Sequence, residues 1–476
     1  MKNKIQLITY IDRIGCENSK ELKSLFKNKL KGIFGGVHLL PFFYPFDGED
    51  AGFDPIDHQQ VDERLGTWND IKALSSEVDI MADLIVNHVS AKSTPFKDYL
   101  KKGKNSMYES LFLTYEKVFP KGASEQDLLN IYRPRPGFPF TPFEFADESK
   151  KLVWTTFTTN QIDIDVYSKL GTSYLENILT TFQKAGITMI RLDAAGYAIK
   201  KQGTSCFMIN ETFEFISELT KKAKSKGIEV LVEVHSHYKT QIEIAKRVDY
   251  VYDFALPLLV LDTIFNKNAN NLKKWLKISP KNAITVLDTH DGIGIVDVAS
   301  EKGIPGLIDD FTVDKIVNQI HVNSNKGSLK ATGAAASNLD LYQVNCTYFE
   351  ALAKNENAYL IARAIQFFVP GIPQVYYVGL FAGENDIKLL QKTNVGRDIN
   401  RHYFTKSEID KKIESPFFKK LKELMLLRNN HNAFNGKFQL LESSENALHL
   451  KWTFNKDWAE LIVDLASMQM QTNYSN

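Results

Sequence analysis

Cysteine is scarce. The 476-residue chain holds three, Cys16, Cys206 and Cys346, far apart and without a C-x-x-C pair. That excludes a disulfide framework and a zinc cluster, and leaves three reduced thiols in or near the core as the expectation. An excess of charge is missing too: 58 Lys and Arg against 57 Asp and Glu leave a formal net charge of +1. Such a balance offers no attraction for nucleic acid or an anionic membrane. Long apolar runs are absent. The longest, residues 254–261, carries Pro257, stops at Asp262 and is too short to span a bilayer. The N-terminal MKNKIQLITYIDR has no secretory apolar core, because Gln6 and Thr9 interrupt it and Asp12 ends it. The cytoplasm is the expected location. No internal repeat or low-complexity tract stands out.

What is present is an ordinary globular composition, 43% hydrophobic and 24% charged, long enough to bury a large core without covalent staples. Short apolar runs read as buried strands at residues 6–10, 36–41, 80–87, 188–193, 229–235, 250–255, 283–290 and 372–378. Helical patterns fall between them at 19–31, 69–77, 172–185, 211–226, 256–265 and 352–368, with a last one at 417–428. Eight strands with intervening helices indicate an α/β fold, the (β/α)8 TIM barrel. Two connections are too long to be loops, about 100 residues after the third strand and about 60 after the seventh, so both read as inserted domains. The expected division is a catalytic barrel of 1–88, 168–292 and 352–432, inserts of 89–167 and 293–351, and a small C-terminal β domain of 433–476. The first insert carries YRPRPGFPFTP (132–142), a proline-stiffened, aromatic loop with two arginines. The second carries ATGAAASNLDLYQ (331–343), small and polar, the composition of a mobile loop.

Enzymes on this barrel place their chemistry at the C-terminal strand ends. The third run ends with Asp83, Asn87 and His88, Arg191 and Asp193 close the fourth, Glu233 and His235 the fifth, and Thr289, His290 and Asp291 the seventh. Two carboxylates and a third acid suit glycosidic bond chemistry, with one group attacking the anomeric carbon and the other protonating the leaving oxygen. A retaining pair stands about 5–5.5 Å apart. Neighbouring strand ends, about 4.8 Å apart, supply that spacing, so Asp193 and Glu233 are the natural pair. Arg191 points to the same face as Asp193 and should keep it ionised, whereas Glu233 must carry a proton near neutrality. Asp291 is placed to stabilise an oxocarbenium-like transition state. Other chemistries fit worse. There is no phosphate loop, no H-E-x-x-H and no complete dinucleotide fingerprint. His235 with His237, or Asn87 with the acidic strand ends, are the weaker metal candidates.

These four strand ends resemble the signature regions of the α-amylase superfamily, in order and role, with Thr289 where many members carry Asn. Longer stretches resemble its sucrose phosphorylases: GGVHLLPFF (35–43), DAGFDPIDH (50–58), RPRPG (133–137), IRLDAAGYAIKK (190–201), VYDFALP (251–257), VLDTHDGIGIVD (286–297), AAASNLDLYQVN (334–345) and GIPQVYYVG (371–379). The similarity runs to about residue 431 and fades beyond it. The resemblance implies a double displacement in which sucrose and inorganic phosphate give glucose 1-phosphate and fructose. It makes Asp193 the nucleophile, Glu233 the acid/base and Asp291 the transition-state stabiliser. It assigns the glucosyl unit to Asp50, His88, Arg191, His290 and Arg397, with Phe53, Phe157 and Gln161 around it. Tyr132, Arg135, Leu339, Asp340 and Tyr342, joined by His235 and Gln343, serve fructose and phosphate in turn. It implies no cofactor and no metal, and a homodimer.

Related readings are a phosphorylase of sucrose 6′-phosphate, glucosylglycerol or glucosylglycerate, and an α-glucan hydrolase, which needs an elongated open groove. Tyr342 matches the sucrose type. A non-catalytic sugar-binding subunit is a further reading, but such a module need not keep a nucleophile beside an acid.

Overall fold

The computed structural model describes residues 2–301, 303–333 and 342–476. Eight parallel strands close into a barrel: β1 (Gln6–Thr9), β2 (Gly36–Leu39), β3 (Asp79–Ile85), β4 (Met189–Asp193), β5 (Glu229–Val232), β6 (Tyr250–Asp253), β7 (Ala283–Thr285) and β8 (Ile372–Tyr376). All of β2 and β8 is buried, as is β3 from Ile80 onward. That burial explains runs that are apolar throughout instead of alternating: a parallel strand is covered by helices outside and barrel side chains inside. The eight expected strands are all found; only the fourth keeps its expected end, five others stop one or two residues early, and two are cut shorter still. The fifth stops at Val232 and the seventh at Thr285. Residues 233–235 and 286–291 leave the ladder and take polar side chains to the barrel mouth.

The outer helices are α1 (Ser19–Lys27), α2 (Trp68–Leu74), α3 (Lys169–Lys184), α4 (Asn210–Ser225), α5 (Tyr238–Ala245), α6 (Leu256–Phe265), α7 (Asn270–Ile278), α8 (Glu356–Phe368) and α9 (Pro416–Asn430). Their starts carry capping side chains. Asn18 accepts from the amides of Lys20 and Glu21, and Thr67 with Asp70 forms a capping box. Two helices were not expected from the sequence. α5 holds Thr240, Ile242 and Ile244, β-branched residues that read equally well as strand. α7 follows α6 after only four residues and merges with it in any periodicity count.

The excursion after β3 starts and ends at the mouth, because strand His88–Ser90 pairs antiparallel with Gln161–Asp163. It contains a helix, Thr94–Lys102, and a hairpin, Phe140–Glu144 with Lys150–Trp154. The excursion after β7 is tied likewise by Ile293–Gly294 pairing with Gln343–Val344, and carries helix Asp310–Asn323. Gly292 stands at φ +109°, and a Cβ there would approach the Val344 carbonyl oxygen at 2.4 Å, so this close strand approach requires glycine. Most of the loop expected at 331–343 falls on residues 334–341, outside the described residues.

An antiparallel meander ends the chain: β9 (Lys437–Leu440), β10 (Ala447–Phe454), β11 (Asp457–Asp464) and β12 (Gln469–Tyr474). β10 and β11 alternate in burial, turning Leu448, Leu450, Trp452, Ala459, Leu461 and Val463 inward. The three cysteines are buried and unpaired, as expected. Among the described residues no helix is long and apolar enough to cross a membrane.

Candidate active site

Register builds the floor of the site. Leu192 of β4 lies opposite Val232 of β5, so Asp193 and Glu233, the next residues, emerge side by side. On the other flank Arg191 lies opposite Asp83 of β3. Arg191 is 1% exposed. Its Nη1 reaches Asp83 at 2.5 Å and Asp193 at 3.2 Å, and its Nη2 reaches Glu233 at 2.5 Å. One guanidinium therefore bridges the carboxylate pair. Asp83 is held from behind by His38 at 3.1 Å. Burial pushes Asp83 up, but His38 and Arg191 outweigh it and bring its pKa to about 2.

Asp291, from the segment after β7, faces this pair. Arg397 Nη1 contacts it at 3.0 Å and Arg401 Nη2 at 3.7 Å, with His290 Nε2 at 3.4 Å. Burial would raise its pKa, yet Arg397, His290 and Arg401 drive it far below the ordinary carboxylate range. His290 is lowered by burial and by Arg191, Arg401 and Arg397, against the pull of Asp291. Its ring stacks on Phe53, centroids 5.0 Å apart.

Asp193 behaves differently from the expectation that Arg191 would hold it ionised. Burial raises its pKa strongly, Arg191 opposes, and Glu233 and Asp83 add to the rise. The reason is that Arg191 is shared among three carboxylates. Each neighbouring acid on a divided cation receives only part of its charge.

The cavity above this floor gathers most of the expected residues. Asp193, Glu233, Asp291, Asp50, Phe53, His88 and His290 line it, with Phe157 and Gln161. Tyr132, Arg135, His235, Tyr342 and Arg397 line the same cavity. His88 Nε2 contacts the Phe53 carbonyl at 2.9 Å and Gln161 at 3.1 Å. Asp50 is joined to Gln161 at 3.4 Å and to Arg397 at 3.8 Å, and Arg397 donates to the Tyr342 hydroxyl at 3.0 Å. Arg191 lies beneath the cavity and not in its lining. Gln343 is a correction. It is buried in the short strand with Val344 and does not line the cavity, because the register with Gly294 turns it into the protein. Leu339 and Asp340 lie outside the described residues.

Seven lining residues were missed as site residues: Pro134, Ala194, Gly196, Tyr197, Phe207, Val234 and Val296. Tyr197 and Phe207 come from the segment after β4, where Ala194 adopts φ +55° and turns the chain directly behind Asp193. Their rings pack at 4.7 Å, and Tyr132 joins Phe207 at 4.7 Å. Val296 comes from the excursion after β7. Aromatic side chains ten residues apart carry no periodic signal; only the fold brings them together. Ligand-capable atoms of Glu233, His235 and Asp291 lie within 4.8 Å of one another. In this structure Arg191 and Arg397 take the two carboxylates and Asp297 takes the histidine.

The chain belongs to the α-amylase family, whose description "Alpha amylase, catalytic domain" matches residues 30–302. A sucrose phosphorylase of Agrobacterium vitis is 58% identical over 467 residues, 98% of this chain and 96% of that protein. One from Bifidobacterium adolescentis is 52% identical over 455 residues, 95% and 90% of the two chains. The crystal structure of sucrose 6F-phosphate phosphorylase from Thermoanaerobacter thermosaccharolyticum matches with a TM-score of 0.93 at 40% identity, covering 100% of this chain and 96% of that one. Within the family the chain therefore stands with the sucrose phosphorylases.

Proposed function

We propose that this protein is an enzyme catalysing the reversible phosphorolysis of sucrose to α-D-glucose 1-phosphate and D-fructose, with retention of configuration. The observation that carries the reading is the placement of Asp193 and Glu233 on one buried guanidinium, with Asp291 facing them. Such proximity suits a retaining pair. In the first step an Asp193 oxygen bonds to the anomeric carbon as the bond to the fructosyl oxygen breaks. Glu233, acting as the acid, gives its proton to the departing oxygen. In the second step a phosphate oxygen attacks the same carbon, gives its proton to Glu233 and releases Asp193. Asp291, kept anionic by Arg397 and Arg401, faces the positive charge that develops in both transition states.

In this reading Asp50, His88, His290 and Arg397 hold the glucosyl hydroxyls between Phe53, Phe157 and Gln161. Tyr132, Arg135, His235 and Tyr342 serve fructose and phosphate, together with Leu339 and Asp340. We keep the division into a barrel with two inserts and a C-terminal β domain as part of the proposal. A cytoplasmic homodimer completes it; the buried, unpaired thiols suit a reducing compartment, and light scattering of the purified protein tests the dimer.

The test is to incubate the enzyme with sucrose, with and without phosphate. Glucose 1-phosphate and fructose in equal amounts, dependent on phosphate, are expected. Free glucose at every phosphate concentration would make the protein a hydrolase. Inertness toward sucrose would shift the reading to a relative acting on another glucoside.

A further inference from the structure

Behind the mouth lies a carboxylate that the steps above do not use. Asp297, in the segment after β7, is fully buried. One of its oxygens accepts from the Ser236 amide at 3.3 Å and from the Gln241 side chain at 2.6 Å. The other faces His235 Nδ1 at 3.2 Å. The His235 ring lies flat on Phe254, centroids 3.9 Å apart and 15° from parallel. With one face stacked and Nδ1 tied to Asp297, the ring has one orientation. Its remaining polar atom, Nε2, is buried without a hydrogen-bond partner, and the residue lines the catalytic cavity. Gly294 makes room for this pair: a Cβ there would stand 2.8 Å from the Asp297 oxygen and 3.6 Å from Nδ1.

We propose that Asp297 is a positioning residue that holds His235 with both ring nitrogens protonated, so that Nε2–H is a charged donor for the anionic second substrate, phosphate. The inference rests on the phosphorolysis reading and adds a group to it. Phosphate must enter a mouth that already holds three carboxylates, and repulsion there has to be offset by placed donors. Water, the competing acceptor, needs none. A histidine whose outer nitrogen is fixed by a carboxylate is a common way to set the state of the inner one. The groups facing His235 are Asp297 and Asp291 from the segment after β7, Glu233 from its own strand end, and Tyr342 with ring centroids 6.1 Å away. Arg135 lines the same cavity from the excursion after β3. Burial alone would lower the histidine's pKa, but Asp297, Glu233 and Asp291 bring it above its ordinary value.

The test has two arms. In the first, Asp297→Asn keeps size and lets the amide oxygen stay on Ser236 and Gln241, which turns an N–H toward Nδ1 and favours the neutral ring. The KM for phosphate should rise about tenfold, the worth of one hydrogen bond to a charged group, and more than hydrolysis without phosphate falls. The pH at which phosphate KM climbs should move downward relative to the unmodified enzyme; the titration of phosphate itself is common to both and cancels. A purely structural role would instead lower turnover with every acceptor and leave the pH profile in place. In the second arm, ¹⁵N spectra of histidine-labelled enzyme, assigned with His235→Gln, read the ring directly and need no folded Asp297 variant. An imidazolium signal for His235 at neutral pH is expected. A neutral ring there, or an unchanged phosphate KM and pH profile in Asp297→Asn, overturns the inference. Absence of glucose 1-phosphate from the unmodified enzyme would instead overturn the phosphorolysis reading, while the ¹⁵N arm would still report on His235.

Discussion

A guanidinium with 1% exposure has to be matched by negative charge, and Arg191 meets three carboxylates, Asp83, Asp193 and Glu233. Its charge fixes where Asp193 and Glu233 stand, and in the proposed mechanism their different tasks follow from what else each faces. Asp193→Ala should abolish phosphorolysis and hydrolysis together, because neither route forms product without the glucosyl-enzyme. A variant that kept a tenth of normal turnover, a loss of only about 1.4 kcal/mol, would place the nucleophile elsewhere. Glu233→Gln should separate two donors. Sucrose cleavage slows because fructose needs a proton to leave, whereas glucosyl fluoride keeps a fast first step, and azide then captures the intermediate without a base. Equal loss with both donors and no rescue by azide would remove Glu233 from the acid/base role. These carboxylates were legible in the sequence because the C-terminal end of a parallel barrel strand is a position that can be counted. The sharing of Arg191 was not legible, since it depends on which neighbouring strand carries the next acid. Asp297 was passed over for the same reason: it reaches His235 across two connections 62 residues apart.

At the scale of elements, strands were read well and their ends poorly. The ladder of β5 stops at Val232 and that of β7 at Thr285, although Val234 beyond the one and Val286 and Leu287 beyond the other are apolar and buried. Side chains that turn into a barrel mouth are still buried, so hydrophobicity does not mark where hydrogen bonding stops. α5 was missed because its β-branched residues fit a strand equally well. The loop at 132–137 was legible through its prolines, and it does reach the site: Tyr132, Pro134 and Arg135 line the cavity. Tyr132 packs on Phe207 and Tyr197, which anchors the loop beside the pocket. From this loop Arg135 brings a cation to the cavity, where in the proposed reaction an entering phosphate needs one. Arg135→Ala should therefore lower phosphorolysis at limiting phosphate far more than it lowers hydrolysis in its absence. The ratio of glucose 1-phosphate to free glucose, followed across a phosphate titration, measures this. An unchanged ratio with unchanged phosphate dependence would return the loop to a purely structural role.

For the molecule as a whole, the open question is what the C-terminal meander contributes to a barrel whose chemistry lies at the other end. Its contacts answer in part. The Trp452 indole donates to the Phe368 carbonyl at 2.6 Å, and that carbonyl closes α8 just before β8 begins. The backbone amide of Ala269 donates to the Glu445 carbonyl at 2.7 Å, and Asn357 donates to that of Met468 at 2.7 Å. At Trp452 the sheet thus meets the chain just before β8, at the strand ends that serve stability on this fold, and through Asn357 it also reaches the first turn of α8, while the candidate carboxylates stand at the opposite strand ends. The last carbonyls of a helix have no partner within it, so Trp452 satisfies a group that would otherwise be buried unpaired. Trp452→Phe keeps most of the apolar volume and removes the donor. The expected cost is about 1–2 kcal/mol, which in a chain of this size corresponds to a Tm lower by roughly 1–2 °C. Turnover with sucrose and the phosphate KM should stay at their unmodified values. A variant that melts as the unmodified enzyme does would show that the indole bond adds nothing to stability. One that loses turnover while still folded would show instead that the meander reaches the mouth through α8 and β8, and that stability and chemistry are not divided between the two faces of this barrel.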